Sequence, residues 1–515
     1  MDGIWIVLLV ALAVLGAPLF AIFGAAAMLL FGGLPDTSIT GTANDVFSEK
    51  FADSPLLVTI PLFTFAGYVL AESGTPHRLV KLSRAWLGWM PGGLAMVCLV
   101  ASAFFTTFTG GSGITIVAIG GLLYPALISD KYEENFSLGL VTTGGSLGLL
   151  FPPSVPMIIY GVVAGIMIEK LFLAGLIPGI ITVAALAIYS SITGIKHKMP
   201  RTKFDKKEAV KTLWEAKWEA LLPVALLGGM YSGLLRIHEA AAFTAIYTLV
   251  IEVWIYRDVS FRVDLPRIIR ESMTLVGAIL AILATAIGFT AFLIQARVPM
   301  VILEAMEGFI TSQVMFLVAL NVFLIGVGML MDIFSAIVVV VPLIVPIALR
   351  FGVDPYHLGI VFLLNLEIGY MTPPVGLNLF ISSFRFNKPI TQLYRSVLPF
   401  IGLLGIALIL VTYVPILSTW LPSLVDSNAV SLDSPDVDDE DYEEGLDLDS
   451  LEGDDFDLDS LEGGGDELDL DSLEGAGDEL DLDSLEGEGL DLDSLEDDEE
   501  LDLDAIEAAE EEPAP

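Results

Sequence analysis

The strongest constraint on the fold of this chain is an internal repeat. The landmarks that recur are, in pairs, Phe20 and Phe243, Pro76 and Pro299, Ser112 and Ser335, and Pro152-Pro153 and Pro373-Pro374. The first three pairs are offset by 223 positions and the last by 221, so only a small deletion separates two related halves. We therefore expect one structural unit that is built twice.

Both halves contain the same order of segments. Each has two short apolar stretches, one long stretch, an amphipathic connector, a stretch interrupted by glycine or aspartate, a stretch broken at Pro-Pro, and a final apolar stretch. The interrupted stretches, near 92–129 and 313–349, are about 38 residues long, which is enough to enter the bilayer, turn and leave on the same side. We interpret them as re-entrant helical hairpins, and 136–168 and 356–384 as broken transmembrane helices.

Hairpins add no net crossing, so each half crosses the membrane five times and the second half is inverted relative to the first. Apolar residues make up 54% of the 515 residues and the mean hydropathy is +0.74, more than one soluble core needs. The sequence therefore predicts an all-α polytopic membrane protein with an inverted repeat, which is an architecture of secondary transporters.

The repeat and the charge pattern divide the chain into four parts. Residues 1–195 form the first repeat, 196–219 a basic linker, 220–425 the second repeat, and 426–515 an acidic tail. Eight of the 24 Lys and Arg residues lie between Lys196 and Lys217, so we expect the linker to be cytoplasmic. Ten crossings then leave both termini outside, provided that 4–31 and 220–256 each cross twice.

The tail carries all of the net charge of −41. From Asp426 onward the chain has 41 acidic residues and no Lys or Arg, and the segment DLDSLE recurs five times, at Asp447, Asp457, Asp469, Asp481 and Asp491. Such a composition cannot form a core, so we predict disorder. A solvated bristle, short helices on a partner, and loose Ca²⁺ binding all remain open for it.

Glycine and proline clusters at bilayer depth predict a lined cavity, because irregular backbone is tolerated there only beside protein or water. Unwound backbone can ligate Na⁺ and half-helix ends attract carboxylates. The predicted Na⁺ ligands are Ser112, Gly145, Gly148 and Pro152 in the first half, and Gly328, Asp332, Ser335, Gly369, Thr372 and Pro373 in the second. The predicted substrate contacts are Thr109, Gly111, Ser146, Asn365, Glu367 and Asn378.

Two alternatives remain open for these residues. The glycines and serines could merely allow close helix packing. Asp332 and Glu367 lie within apolar runs, where a carboxylate implies function; Glu367 could ligate Na⁺, carry a proton, or be a protonated structural donor. The sequence contains no zinc-ligand spacing, Walker A loop or nucleophile elbow, so we expect a transporter that is driven by an ion gradient or a partner, and no enzyme.

Four segments at these clusters resemble the large membrane subunit of TRAP (tripartite ATP-independent periplasmic) transporters. They are TGGSGITIVAIGGLLYPALI, GSLGLLFPPSVPMIIYG, MDIFSAIVVVVPLIVPIAL and LEIGYMTPPVGLNLFISS. The likeness covers residues 1–425. Many members have Ser-Gly-Ser-Ser where this chain has Thr109 to Ser112, and many lack an acid at the place of Glu367.

The resemblance implies a multi-pass protein of the bacterial inner membrane that works by an elevator mechanism with Na⁺ as the coupling ion and no other cofactor. It also implies a small four-helix membrane subunit, a periplasmic substrate-binding protein, and a small organic anion such as a C4-dicarboxylate or sialic acid as substrate, with no role for nucleic acid. Two rivals remain: a self-sufficient Na⁺/dicarboxylate symporter, and a membrane scaffold or sensor that acts through its acidic tail.

Overall fold

The computed structural model of the chain describes residues 17–31, 55–201, 203–307, 310 and 312–429. The apolar stretch 4–15 and the acidic tail beyond residue 429 lie outside the described residues. Within them the regular secondary structure is helical. The helices are α1 (Leu19–Phe31), α2 (Thr59–Glu72), α3 (Thr75–Leu87), α4 (Gly93–Thr109), α5 (Ser112–Ser129), α6 (Glu134–Gly144), α7 (Val155–Ala164), α8 (Ile168–Lys196), α9 (Lys206–Glu215), α10 (Lys217–Tyr231), α11 (Ile237–Ile255), α12 (Asp264–Gln295), α13 (Val298–Glu307), α14 (Gln313–Leu330), α15 (Ile333–Arg350), α16 (Pro355–Gly369), α17 (Leu377–Phe386), α18 (Ile390–Tyr413) and α19 (Ile416–Ala429).

Several helix boundaries follow from local sequence. Asp205, Ser312, Asp332 and Asp354 each precede a helix and accept hydrogen bonds from its first-turn backbone N–H groups. Such N-caps satisfy donors that have no partner inside the helix. Gly165 has φ of +65° and ends α7, because glycine adopts the left-handed region without strain.

Seven helices in the described part of the chain are long and apolar enough to cross a membrane: α5, α8, α11, α12, α14, α15 and α18. The number rises to nine if each of two bent helix pairs counts as one span. One pair is α2 with α3, bent by 73°, and the other is α6 with α7, bent by 46°. These lengths and compositions are those of a polytopic membrane protein.

Two helical hairpins occupy equivalent places in the two halves. We call α4 and α5, joined at Gly110-Gly111, the first hairpin, and α14 and α15, joined at Met331-Asp332, the second hairpin. At the open end of the second, Gln313 Nε2 donates to the Gly352 carbonyl at 2.8 Å. The second hairpin therefore begins and ends at the same end of the helix bundle.

The two hairpins open toward opposite ends of α8. At the open end of the first hairpin, a Cβ on Gly92 would lie 2.5 Å from the Ser190 carbonyl oxygen, near the C-terminal end of α8. Just after the second hairpin, the Pro355 carbonyl accepts from Tyr160 Oη at 3.2 Å, and Tyr160 lies in α7 shortly before α8 begins. The hairpins therefore enter the helix bundle from its two opposite ends.

The segment containing α10 and α11 runs out and back. Arg78 forms ion pairs with Glu219, near the start of α10, and with Asp258, just after α11. Both ends of the segment thus meet at one residue. At the other end of this helical pair, Tyr231 Oη donates to the Glu169 carbonyl near the start of α8. These contacts show that α10 and α11 form an antiparallel pair. Of the two, α11 is long and apolar enough to count as a membrane span, and the expectation that 220–256 crosses the membrane twice stays a prediction.

Helix α16 lies at the centre of the bundle. Every residue from His357 to Gly369 is buried, which is the pattern of a helix enclosed on all sides. It packs against α14, α18 and α8. The helix ends at Gly369, and α17 begins at Leu377 on the far side of Pro373-Pro374. The central helix therefore ends inside the protein, where the candidate site lies.

Candidate ion and substrate site

The first half contributes a helix break that packs closely against the first hairpin. We call residues 145–154, between α6 and α7, the first break. A Cβ on Gly148 would lie 2.3 Å from the Ala103 carbonyl oxygen, and one on Gly145 would lie 2.9 Å from the Ser112 carbonyl oxygen. Both positions therefore require glycine, because a side chain would collide with backbone.

Oxygen atoms converge at this contact. Thr106 Oγ1 lies 2.9 Å from the Gly145 carbonyl oxygen and 2.8 Å from Thr115 Oγ1. Thr107 Oγ1 lies 3.4 Å from the Gly148 carbonyl oxygen. Pro152, also predicted as a ligand, is buried four residues after Gly148, and its bond to Pro153 is cis. The structure thus brings the predicted residues Ser112, Gly145 and Gly148 together, and their binding of Na⁺ stays a prediction.

The second half has a corresponding contact between the second hairpin and the break after α16. We call residues 370–376 the second break. A Cβ on Gly369 would lie 2.6 Å from Gly328 Cα, so the two predicted glycines touch. The Gly376 N–H donates to the Met329 carbonyl at 3.2 Å and ties the break to the hairpin tip. Thr372 Oγ1 donates to the Ile368 carbonyl at 2.8 Å.

Asp332 and Ser335 form the cap of α15 at the hairpin tip. Asp332 Oδ2 accepts from the Phe334 N–H at 3.0 Å and the Ser335 N–H at 3.2 Å, and Asp332 Oδ1 accepts from Ser335 Oγ. The sequence placed Asp332 deep in an apolar run, but its side chain is exposed. Asp332 interrupts the predicted hairpin stretch 313–349, and the structure places it at the hairpin tip; its role in ion binding stays a prediction.

The two breaks differ in exposure. Pro152, Pro153 and Ser154 are buried in the first break. In the second break Pro373 is half-buried, and Pro374 is exposed. The Pro373-Pro374 bond is cis, as in the first half. In the second half Asp332 is exposed and Thr372 and Pro373 are half-buried, while Gly328, Ser335 and Gly369 are buried; the predicted ion residues of the first half are all buried.

Three side-chain hydrogen bonds connect the halves at the centre. Ser112 Oγ donates to Asn378 Oδ1 at 2.7 Å, and a second bond joins the hydroxyls of Thr142 and Ser382 at 2.8 Å. The third is longer: Ser146 Oγ donates to Glu367 Oε1 at 3.4 Å. Asn378 and Ser382 are four residues apart in α17, so one face of that helix meets the first half.

Three buried polar atoms of predicted substrate-contact residues have no hydrogen-bond partner among the described residues: Asn365 Oδ1, Glu367 Oε2 and Asn378 Nδ2. Their side chains are at most 1% exposed. A buried polar atom without a partner costs about 1–3 kcal/mol and calls for an explanation such as a ligand. Glu367 and Asn378 each use their other polar atom in a cross-half bond, so Glu367 Oε2 and Asn378 Nδ2 lie beside those bonds, whereas Asn365 bonds to Asn321 of α14.

The remaining predicted substrate contacts fall at different places. Thr109 is buried, and its Oγ1 lies 3.5 Å from Thr115 Oγ1 at the tip of the first hairpin, next to half-buried Gly111. Asn365 Nδ2 donates to Asn321 Oδ1 at 2.7 Å and to the Val361 carbonyl at 2.8 Å. Only the oxygen of that amide is therefore left for a ligand.

Sequence reasoning missed several residues of this centre. Thr106 and Thr107 supply hydroxyls to the first break, and Thr142 and Ser382 form one of the cross-half bonds. For Ser382 a signal existed: it lies one helical turn beyond Asn378. For the threonines there was none, because hydroxyl residues are common in membrane helices, where they bond to their own backbone.

Paired hairpins that enter from opposite ends, and helix breaks that converge on unpaired polar atoms, define a membrane transporter of the secondary-transport class. The particular family follows from comparison of the sequence. The chain belongs to the family described as "Tripartite ATP-independent periplasmic transporter, DctM component", whose model matches residues 5–417. The acidic tail lies beyond that match.

Individual relatives agree with this membership. The chain is 34% identical over 439 residues to the C4-dicarboxylate TRAP transporter large permease protein DctM of Vibrio cholerae, covering 81% of this chain and 97% of that protein. It is 33% identical to the protein of the same description from Rhodobacter capsulatus, covering 81% and 98%. It is also 36% identical to the isethionate TRAP transporter permease protein DctMQ of Oleidesulfovibrio alaskensis, covering 78% of this chain and 63% of that protein.

A solved structure supports the fold. The crystal structure of the YdaH transporter of Alcanivorax borkumensis matches with a TM-score of 0.55 at 13% identity, over 80% of this chain and 98% of that one. At this identity the likeness concerns architecture alone. The protein is thus a multi-pass membrane permease of a TRAP family, and the sequence-based recognition of that family is confirmed.

Proposed function

We propose that this chain is the large permease subunit of a Na⁺-coupled, binding-protein-dependent importer of small organic anions, such as a C4-dicarboxylate or a related compound, in the bacterial inner membrane. Two of the relatives above are described as C4-dicarboxylate permeases and one as an isethionate permease, at 33% to 36% identity. What these substrates share is a small, charged, oxygen-rich anion.

The observation that carries the proposal is the polar centre between the halves. Asn378 Nδ2 is buried, unpaired among the described residues, and 0% exposed, while its Oδ1 is fixed by Ser112. An amide that is held in this way directs one N–H donor at a fixed point. A carboxylate or sulfonate oxygen is the complementary acceptor, and a water-free surrounding strengthens such a bond.

Na⁺ would be held beside this anion. At the first break, the carbonyl oxygens of Ser112, Gly145 and Gly148 and the hydroxyls of Thr106 and Thr107 are the available ligands, and oxygen is the donor that hard cations select. In the second half, the exposed carboxylate of Asp332 and the open second break supply the equivalent set. Binding of Na⁺ there would draw the hairpin tip onto the break and offset the anion's charge.

An elevator mechanism fits the way the elements are connected. Each hairpin is packed on a break of its own half, and the cross-half bonds join the two into one unit. Helices α3 and α13 connect this unit to the preceding helices, with α3 bent by 73° from α2. We propose that the joined hairpins and breaks move as one body against α1, α2 and α10 to α12. A small four-helix subunit and a periplasmic binding protein complete the system.

The decisive experiment is uptake into proteoliposomes. The chain is reconstituted with the small membrane subunit and the binding protein from its own genome, and labelled succinate, fumarate or isethionate is offered with an inward Na⁺ gradient or a matched K⁺ gradient. We expect uptake that requires Na⁺ and the binding protein. Equal uptake by the chain alone would replace this proposal with a self-sufficient symporter.

Deletion of residues 430–515 separates transport from a scaffold or sensor role. The family match ends at residue 417, so the deletion leaves it complete. We expect the shortened protein to keep Na⁺-dependent uptake within about twofold, since the hairpins and breaks are untouched. A protein that inserts into the membrane but loses all activity would indicate that the tail carries the function.

A further inference from the structure

The linker helix α9 presents an exposed face that the transport site does not use. Lys207, Val210, Lys211 and Trp214 follow the spacing i, i+3, i+4 and i+7, so they lie on one side of the helix. Val210 is 65% exposed and Trp214 is 70% exposed. A tryptophan and a valine held in the open beside lysines form a surface with both apolar and cationic character.

The opposite side of α9 fixes how this face points. Ala209 and Thr212 are buried, and α9 packs against α3. The Ala209 carbonyl accepts a hydrogen bond from Trp86 Nε1 at 3.2 Å. Packing on α3 therefore holds one side of α9, and the side with the lysines and Trp214 faces away from the protein.

The exposed face forms a shallow depression of about 770 Å³. It is lined by Lys206, Lys207, Val210, Lys211, Trp214 and Glu215. Lysine stems can cover apolar surface while their ammonium groups stay in water, so the floor is apolar and the rim is charged. In the described part of the chain no carboxylate pairs with Lys206 or Lys207, whereas Lys211 Nζ lies 3.8 Å from Glu215 Oε1.

A further cation stands at the end of the depression. Lys217 Nζ lies 4.0 Å from the ring centroid of Trp214 and 5.1 Å from that of Trp218. A cation over an indole face is held by the ring's electron density, which fixes the ammonium in place at low entropic cost. The face therefore has a positive charge at each end of an aromatic floor.

Other aromatic residues place α9 at the level of a membrane surface. Trp86 of α3 is 46% exposed, and Trp89, two residues after α3 ends, is 51% exposed. The Trp89 ring packs edge-on to that of Phe204, just before α9, with the ring centroids 6.5 Å apart. Tryptophan concentrates where membrane meets water. The end of α8 that leads into the linker is the end that carries Lys196, so this belt belongs to the cytoplasmic leaflet.

We infer that the exposed face of α9 binds an anionic phospholipid of the cytoplasmic leaflet. The lipid phosphate would lie beside the ammonium groups of Lys207 and Lys211, and the glycerol and upper acyl chain would rest on Val210 and Trp214. Lys217 would add positive charge at the far end of the same face. Charge complementarity selects this occupant: a zwitterionic lipid gains little from three cations, and a small soluble anion would leave the apolar floor uncovered.

The test uses brominated lipids, which quench tryptophan fluorescence at short range. The full-length protein is reconstituted into phosphatidylcholine vesicles that contain either dibromo-phosphatidylglycerol or dibromo-phosphatidylcholine in the same amount. The contribution of Trp214 is the difference between the native chain and Trp214→Phe. We expect phosphatidylglycerol to quench Trp214 with at least about tenfold higher apparent affinity, and this preference to fall as salt is raised from 0.05 to 0.5 M.

Matched variants connect the preference to this face. The triple variant Lys207→Gln, Lys211→Gln, Lys217→Gln should lose the preference, and replacement of the same three lysines by arginine should keep it. As a control, Lys131→Gln, Arg257→Gln and Arg262→Gln remove equal charge from the same end of the protein but outside α9.

The inference is overturned by any of three results. The first is equal quenching of Trp214 by the two brominated lipids. The second is that the control triple variant loses the preference for phosphatidylglycerol as fully as the lysine triple variant does. The third is that neither lipid quenches Trp214 and that adding the small subunit to the vesicles shields Trp214 from solvent. The last would assign this face to a protein partner.

Discussion

Ser112 and Asn378 share a hydrogen bond of 2.7 Å although 266 positions separate them in the chain. Ser112 lies at the tip of the first hairpin, and Asn378 lies in α17, just beyond the second break. Their bond therefore fixes the position of two elements from different halves. It also orients the Asn378 amide so that its nitrogen is directed away from Ser112.

Asn378→Asp tests whether this nitrogen binds the substrate anion. The substitution keeps an oxygen for Ser112 to donate to but replaces the N–H₂ donor by a second acceptor. We expect Na⁺-dependent uptake to fall at least about tenfold, because a lost hydrogen bond to a charged group is worth about 1.5–3 kcal/mol. The measurement is initial uptake rate against substrate concentration.

Ser382→Ala is the matched control for that change. It removes a second side-chain bond between α17 and the first half, while Thr142 Oγ1 keeps its 2.7 Å bond to the Leu138 carbonyl. The thermal midpoint should fall by the equivalent of about 0.5–1.5 kcal/mol, with uptake largely kept. If both variants lost uptake equally, the cross-half bonds would serve packing alone, and Asn378 would leave the proposed site.

Asp332→Asn separates helix capping from ion binding. Asparagine caps a helix about as well as aspartate, so α15 should keep its start and the protein should remain folded. If the carboxylate binds Na⁺, the Na⁺ concentration for half-maximal uptake should rise by about tenfold or more, which corresponds to about 1.4 kcal/mol.

Ser312→Ala provides the comparison for Asp332. Ser312 caps α14 at the open end of the same hairpin, where its Oγ accepts from the Met315 N–H at 3.3 Å. Its loss should cost about 1 kcal/mol of stability with no change in the Na⁺ dependence. An unaltered Na⁺ response in Asp332→Asn would remove that residue from the ion site.

Gly369→Ala tests the close contact between the second hairpin and α16. The added Cβ would lie 2.6 Å from Gly328 Cα, a backbone atom that cannot move aside alone. We expect a stability loss of about 1–3 kcal/mol together with loss of uptake. Gly405→Ala in α18 meets no atom within 4 Å and should be neutral or stabilising. Thermal unfolding of both variants in detergent decides the point, and equal midpoints would contradict it.

The order of elements could be predicted from the sequence because its signals are local. The interruption at Asp332 indicates a hairpin turn, and the two Pro-Pro pairs indicate helix breaks, without any information about distant residues. Because the chain repeats, an equivalent signal in the other half supports each of these predictions. The predicted second hairpin, 313–349, agrees closely with α14 and α15, which run from Gln313 to Arg350.

Contacts between distant residues could not be predicted in the same way. Arg78 pairs with acids that lie 141, 174 and 180 positions away, and nothing in their spacing indicates a meeting. The sequence around Asp332 likewise does not show whether its side chain is exposed, because a window of apolar residues has the same average hydropathy at an exposed hairpin tip as in a buried span. Only the packed structure distinguishes the two cases.

Arg78 lies at the centre of a cluster of three acidic residues and one tyrosine. Arg78 pairs with Glu219, Glu252 and Asp258, and its guanidinium carbon lies 3.8 Å from the ring centroid of Tyr256. The side chains of Glu219 and Glu252 are 2% and 0% exposed. The cluster joins the start of α3 to α10 and α11, and one cation serves two deeply buried carboxylates.

Arg78→Leu should therefore be severely destabilising. It leaves Glu219 and Glu252 buried without their cation, and breaking a buried pair in this way costs about 3–5 kcal/mol. Arg267→Leu is the matched control: Arg267 pairs with Glu72 at 2.8 Å, but the two side chains are 41% and 36% exposed, so solvent screens the pair and its loss should change the thermal midpoint little. Thermal unfolding in detergent compares them. The triple variant Arg78→Leu, Glu219→Gln, Glu252→Gln should regain part of the lost stability, because the uncompensated charges are then gone. A triple variant that is no more stable than Arg78→Leu alone would indicate that the arginine acts through packing.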